Sequence, residues 1–108
     1  MSINASALPD VTLEIVDGIK VVVPDSLELI TPYVLREQLD WFEDEIKFIR
    51  TLLQPGDVVL DIGANYGLYT LSMAKVVGKG GHVYAFEPAS KTASYLTRSI
   101  AQNNFDQI

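Results

Sequence analysis

The sequence predicts an α/β fold: a parallel sheet with helices on both faces, preceded by a small β-hairpin and a helix. Three observations carry this. Val58 to Pro88 runs as apolar strand, glycine turn, apolar helix, loop and second apolar strand. Asp17-Gly18 stands between two short apolar runs, the local signature of a two-residue hairpin. Phe42, Ile46, Ile49 and Leu53 fall on one helical stripe.

Taken in order, Met1 to Asp10 is small and polar and reads as a frayed end. Val11 to Val16 and Ile19 to Val23 are the hairpin strands, a cap or flap laid before the main sheet and closed by Pro24. Asp25 to Pro32 reads as irregular chain, leading to a short helical turn over Tyr33 to Leu39. Asp40 then opens a helix through an Asp40-x-x-Glu43 capping box. Glu43 and Lys47 are spaced to pair, and the helix ends at Pro55-Gly56. A carboxylate at Glu43 also suits the positive end of that helix.

Val58 to Ile62 has the pattern of a parallel strand buried on both faces, and His82 to Phe86 repeats it. Between them, Leu68 to Val77 is apolar nearly all round, which predicts a buried helix. Gly78-Lys79-Gly80-Gly81 ends it as a plain loop at the amino end of the next strand. His82, the only histidine, stands at that same end, so a packing role is expected. Ser90 to Asn103 is a further helix with Ala93, Leu96 and Ile100 inward, and Asn103-Asn104 stops it. Phe105 to Ile108 leads toward a third strand.

Right-handed crossover brings the two strands side by side, so Asp61, the turn and Glu87 share the carboxyl edge of the sheet. Open α/β sheets bind their ligands at that edge. Gly63 and Gly67 let the backbone turn sharply and a ligand come close. A phosphate-binding turn excludes nearby anions, yet Asp61 stands two residues before the first glycine. That carboxylate suits a ligand carrying an amino group or a sulfonium. Glu87 follows Gly67 by 20 residues, the spacing at which an acid accepts from ribose hydroxyls. Together they point to a nucleoside with a cationic end. Taken singly, both acids also read as strand-end carboxylates that satisfy backbone N–H groups.

The ordered set Asp61-Ile62-Gly63-Ala64-Asn65-Tyr66-Gly67, then Tyr69-Thr70, then Val83-Tyr84-Ala85-Phe86-Glu87-Pro88 resembles the cofactor half of S-adenosylmethionine-dependent methyltransferases, most closely the FkbM type. Many methyltransferases have glycine where this chain has Asn65, and Asn there is common in FkbM-type sequences. Gln54-Pro55-Gly56-Asp57 and Trp41-Phe42-Glu43 are similar to that family too. The resemblance implies a partial Rossmann-like (class I methyltransferase) domain over residues 55–108, after an N-terminal hairpin and amphipathic helix over residues 1–54. It implies S-adenosylmethionine as cofactor, with Asp61 anchoring the amino-acid end. Gly63, Ala64, Asn65 and Gly67 shape the turn, Glu87 takes the ribose, and Phe86 and Pro88 border the adenine. It also implies that Glu43 lies near the cofactor. The reaction implied is O-methyl transfer to a small molecule or saccharide, with no catalytic base assigned. Two other readings stay open: a non-catalytic nucleotide-binding or assembly module, and an NAD-dependent oxidoreductase. Asp61 and the lack of G-x-G-x-x-G argue against the latter.

Composition bounds the partners. Residues 1–50 hold ten Asp/Glu and four Lys/Arg, while residues 51–108 hold four of each. That acidic flank disfavours nucleic acid, which is bound through basic contacts to phosphates. There is no cysteine, so thiolate metal sites and disulfides are excluded, and no metal is expected. No apolar run reaches the ~18 residues of a membrane span, and Met1 to Pro9 lacks a secretion signal, so a cytoplasmic protein is expected. Two parallel strands make about half of a sheet of ~5–6 strands, so the 108 residues read as an N-terminal fragment, inactive alone.

Overall fold

The computed structural model describes residues 9–108. Its elements are β1 (Asp10–Glu14), β2 (Lys20–Pro24), α1 (Ile30–Gln38), α2 (Asp44–Leu52), β3 (Val58–Ile62), α3 (Leu68–Val77), β4 (His82–Phe86) and α4 (Ser90–Asn103). β1 and β2 form an antiparallel hairpin, and β3 and β4 a parallel pair with Val59 opposite Val83 and Asp61 opposite Ala85. The predicted α/β class with a leading hairpin is what the chain adopts. The frayed start expected for Met1 to Asp10 falls, over residues 1–8, outside the described residues. Asp10 itself is ordered into β1 and ion-paired to Arg98.

The hairpin turns where its sequence predicts but through a longer loop: the strands pair as far as Glu14 and Lys20, and Asp17 and Gly18, with φ of 62° and 70°, form the tip between Ile15 and Ile19. The hairpin is not a flap over the sheet. β2 buries Val21, Val22 and Val23 and packs on α4, where Ser99 Oγ accepts from Val22 N at 2.8 Å and Asn103 bonds both backbone groups of Lys20. One buried cluster joins Ile15, Ile19, Val21, Val23, Leu35 and Ile46 to Leu68 and Leu71.

The stretch before β3 departs from expectation. Helix α1 starts at Ile30, with Pro32 tolerated in its first turn, and closes on Leu39 in the left-handed region at φ 56°. Helix α2 starts at Asp44, not Asp40. Asp40 caps nothing, because its carboxylate takes a two-pronged bond from Arg50, at 2.8 and 2.9 Å, and the N–H of Trp41. A charge-assisted fork outweighs a neutral cap. Arg50 also donates to Ser72 Oγ at 3.0 Å, tying the α1–α2 loop, α2 and α3 together. Phe42 consequently lies outside the helix and is exposed, while Ile46 is buried and Ile49 and Leu53 pack beneath α3. Glu43 does not pair with Lys47; it turns toward Trp41 and Tyr69.

From β3 onward the elements coincide with the predicted spans. Helix α3 is buried along most of its length, and Val59 and Val83 pack into the core beneath it. The strands, expected to be buried on both faces, are buried on one. Val58, Leu60 and Ile62 are 69%, 64% and 74% exposed, and Tyr84 and Phe86 share that open face. Period-two alternation puts these five residues opposite α3, and among the described residues no element covers them. At the free edge of β4 the N–H of Val83 donates to the carbonyl of Gln107 at 2.7 Å, so the segment after α4 approaches the sheet in the expected direction.

Candidate functional site

The site is built where β3 turns into α3. The N–H groups of Gly63 and Ala64 both donate to the carbonyl of Phe86 at 2.9 Å, which binds the turn to the end of β4. Gly63 has φ of 78° and a Cβ there would meet nothing within 4 Å, so its bare backbone faces open space. Asn65 has φ of 57°, a conformation that glycine adopts freely and Asn tolerates better than most residues. Gly67 has a different reason to be glycine: at φ 97° a Cβ would sit 2.4 Å from Leu96 Cδ1. Its smallness serves the packing of α3 against α4, not the approach of a ligand.

A cavity of about 160 Å³ opens beside this turn, lined by Asp61, Gly63, Ala64 and Asn65 together with Glu43 and Tyr69. Trp41, Tyr66, Thr31 and Leu68 complete it. Its charged side chains are Asp61 and Glu43, both acids, with no lysine or arginine among the lining. Asp61 is held by Thr70 Oγ1, which donates to its Oδ2 at 2.5 Å from the first turn of α3. Glu43 Oε1 accepts from Trp41 Nε1 at 2.5 Å and from the Tyr69 hydroxyl at 3.2 Å. Burial, then the bond to Glu43, push the Tyr69 phenol up to about 12, so it stays a donor. Burial alone raises Tyr66, whose ring meets Tyr95 edge-on at 5.6 Å.

Glu87 lies on the other side of the turn. Its Oε1 accepts from Asn65 N at 2.8 Å and its Oε2 from Ala89 N at 2.9 Å. It borders a groove along β4 and α4, not the cavity that Asp61 lines, and Pro88 is exposed beside it. The structure therefore brings Asp61, Gly63, Ala64 and Asn65 to one cavity. Glu87 is joined to them through the backbone of Asn65, and Gly67 stands behind the turn. A carboxylate has about four acceptor sites, so each acid keeps capacity for further donors. His82 stands at the opposite end of β4, its ring tilted by 52° to that of Tyr84 at a centroid distance of 4.3 Å. Sequence reasoning missed Thr31, which fell in a stretch read as irregular, and the hold of Thr70 on Asp61. Of Trp41-Phe42-Glu43, Trp41 and Glu43 line the cavity and Phe42 does not.

No family model matches the chain. Over 52 residues it is 36% identical to a protein-L-isoaspartate O-methyltransferase of Aeropyrum pernix, a stretch of 48% of this chain and 20% of that protein. A solved protein-L-isoaspartate O-methyltransferase superposes with a TM-score of 0.54 at 25% identity, over 58% of this chain and 20% of that one. The fold is that of the class I S-adenosylmethionine-dependent methyltransferases. An S-adenosylmethionine-dependent methyltransferase from Aquifex aeolicus agrees, with a TM-score of 0.56 at 26% identity over 74% of this chain and 40% of that one. An O-methyltransferase from Thermotoga maritima shares the fold at 0.57 and 21% identity, over 92% of this chain and 38% of that one. The chain thus spans 20% of the length of the curated relative it matches. No helix among the described residues is long and apolar enough to cross a membrane.

Proposed function

We propose that this chain is the cofactor-binding part of an S-adenosylmethionine-dependent methyltransferase of the FkbM type, acting in the cytoplasm on an oxygen of a small molecule or saccharide. The observation that carries the reading is the charge of the cavity: two carboxylates, no base, and a bare glycine turn. Such a lining repels a phosphate and attracts a cation. Asp61, fixed by Thr70, takes the amino-acid end of the cofactor directly or through water. Gly63, Ala64 and Asn65 give the turn its open wall, and Gly67 lets α4 support it. Glu87, already oriented by two backbone N–H groups, accepts from the ribose hydroxyls, with Pro88 beside the adenine.

The cofactor supplies a methyl group made electrophilic by its sulfonium. What this chain contributes is alignment of that donor, the part of catalysis that positioning provides. No residue here is assigned as catalytic base, and turnover by these 108 residues alone is expected to be undetectable. Calorimetric titration tests the reading: S-adenosylhomocysteine binds, NAD does not, and Asp61→Asn weakens the former at least tenfold. Binding of NAD, or indifference to Asp61→Asn, overturns it.

A further inference from the structure

We infer that Glu43 is a second specificity residue for the ammonium group of the ligand's amino-acid end, sharing a cavity with Asp61, with Trp41 and Tyr69 as its positioning residues. The inference rests on the cofactor reading above and adds to it a residue outside the glycine turn.

Four features support it. First, Glu43 is not occupied as a helix cap: it stands at the N-cap position of α2 but makes no side-chain bond to the helix, and Asp44 and Glu45 already complement the dipole. Second, its charge is not spent. It makes no ion pair among the described residues, and both of its partners, Trp41 and Tyr69, are neutral donors. Third, both donors go to Oε1, so the carboxylate is fixed from two elements while Oε2 keeps its lone pairs. Fourth, Glu43 lines the same cavity as Asp61.

The size of that cavity suits one end of a ligand. At about 160 Å³ it is smaller than the ~300–1,000 Å³ of pockets that enclose whole drug-sized ligands, which favours an amino-acid end over a whole nucleoside. An ammonium presents three N–H donors. Two carboxylates from separate elements give it two charge-assisted partners, and a ligand without the ammonium loses both.

The test compares S-adenosylhomocysteine with 5′-methylthioadenosine, which keeps the nucleoside and the sulfur but lacks the amino-acid end. Glu43→Gln retains an oxygen for Trp41 and Tyr69 and removes the charge. Calorimetry on the full chain is expected to show S-adenosylhomocysteine binding weakened about tenfold, with 5′-methylthioadenosine unchanged. Tyr69→Phe, which keeps the charge and loosens its hold, is expected to produce a smaller loss confined to S-adenosylhomocysteine. Equal loss for both ligands, or loss for neither, overturns the inference. If the unsubstituted chain binds neither ligand, it is the cofactor reading itself that falls.

Discussion

The carboxylate of Glu87 is held by the backbone N–H of Asn65 at 2.8 Å, a bond that ties the end of β4 to the turn leaving β3. Its second oxygen takes the N–H of Ala89 at 2.9 Å, at the entrance to α4. One side chain therefore sets the relation of two loops. Glu87→Ala is expected to lower stability by about 1 kcal/mol, since both bonds are solvent-exposed. It is also expected to weaken S-adenosylhomocysteine binding by more than that loss explains. Thermal melting with and without ligand separates the two effects. An unchanged affinity would mean that Glu87 serves the loops alone.

Gly67 provides a second test, because its two constraints can be pulled apart. Gly67→Ala meets an unfavourable left-handed φ of 97° and a contact with Leu96 Cδ1. The first costs about 1–2 kcal/mol and cannot be relieved by neighbours. The second ends on a flexible side chain. In a Leu96→Ala background, Gly67→Ala is therefore expected to cost less than in the unsubstituted protein but still about 1 kcal/mol. Denaturant titration of the four-member cycle measures both parts.

These two residues also show where the sequence was informative. The spans of β3, α3, β4 and α4 were legible because each is bounded by residues whose backbone chemistry is local: Gly63 and Gly67, the glycine loop after Val77, and Asn104 in the left-handed cap. The Asp17-Gly18 turn was legible for the same reason. What was not legible is set by contacts between distant residues. Asp40 looks like a helix cap until Arg50, ten residues on, takes its carboxylate. Thr31 joins the cavity wall only because α1 is packed there, and no local pattern announces it. The sheet's open face escapes notice because apolar strands read alike whether one face or both are covered.

The Asp40 and Arg50 pair has a pH signature. The hydrogen bonds from Arg50 hold the Asp40 carboxyl below its ordinary value, against the opposing effect of burial. A depressed folded-state pKa stabilises the fold at pH above the unfolded value of about 3.9, and that stability drains away as the pH falls through the lower, folded value. Asp40→Asn removes the contribution at neutral pH, at a cost of about 2 kcal/mol, because it leaves Arg50 partly buried without its anion. Urea unfolding between pH 3 and pH 7 is expected to show a shallower loss on the acid side for Asp40→Asn than for the unsubstituted protein. Parallel curves would deny the pair this role.

Tyr69 titrates at the opposite end. Its phenol is pushed up to about 12, chiefly by burial and then by the adjacent Glu43. Because the neutral phenol is favoured in the fold, this stabilisation is complete below the unfolded value of about 10 and lost as pH rises from there toward 12. Ultraviolet difference titration should therefore show a late tyrosine transition toward pH 12. Glu43→Gln should bring that late transition earlier, since it removes the negative charge beside the phenol, but not back to the ordinary value, since burial remains. A late transition that ignores Glu43→Gln would place the cause in burial alone and remove the electrostatic link between α3 and the loop before α2.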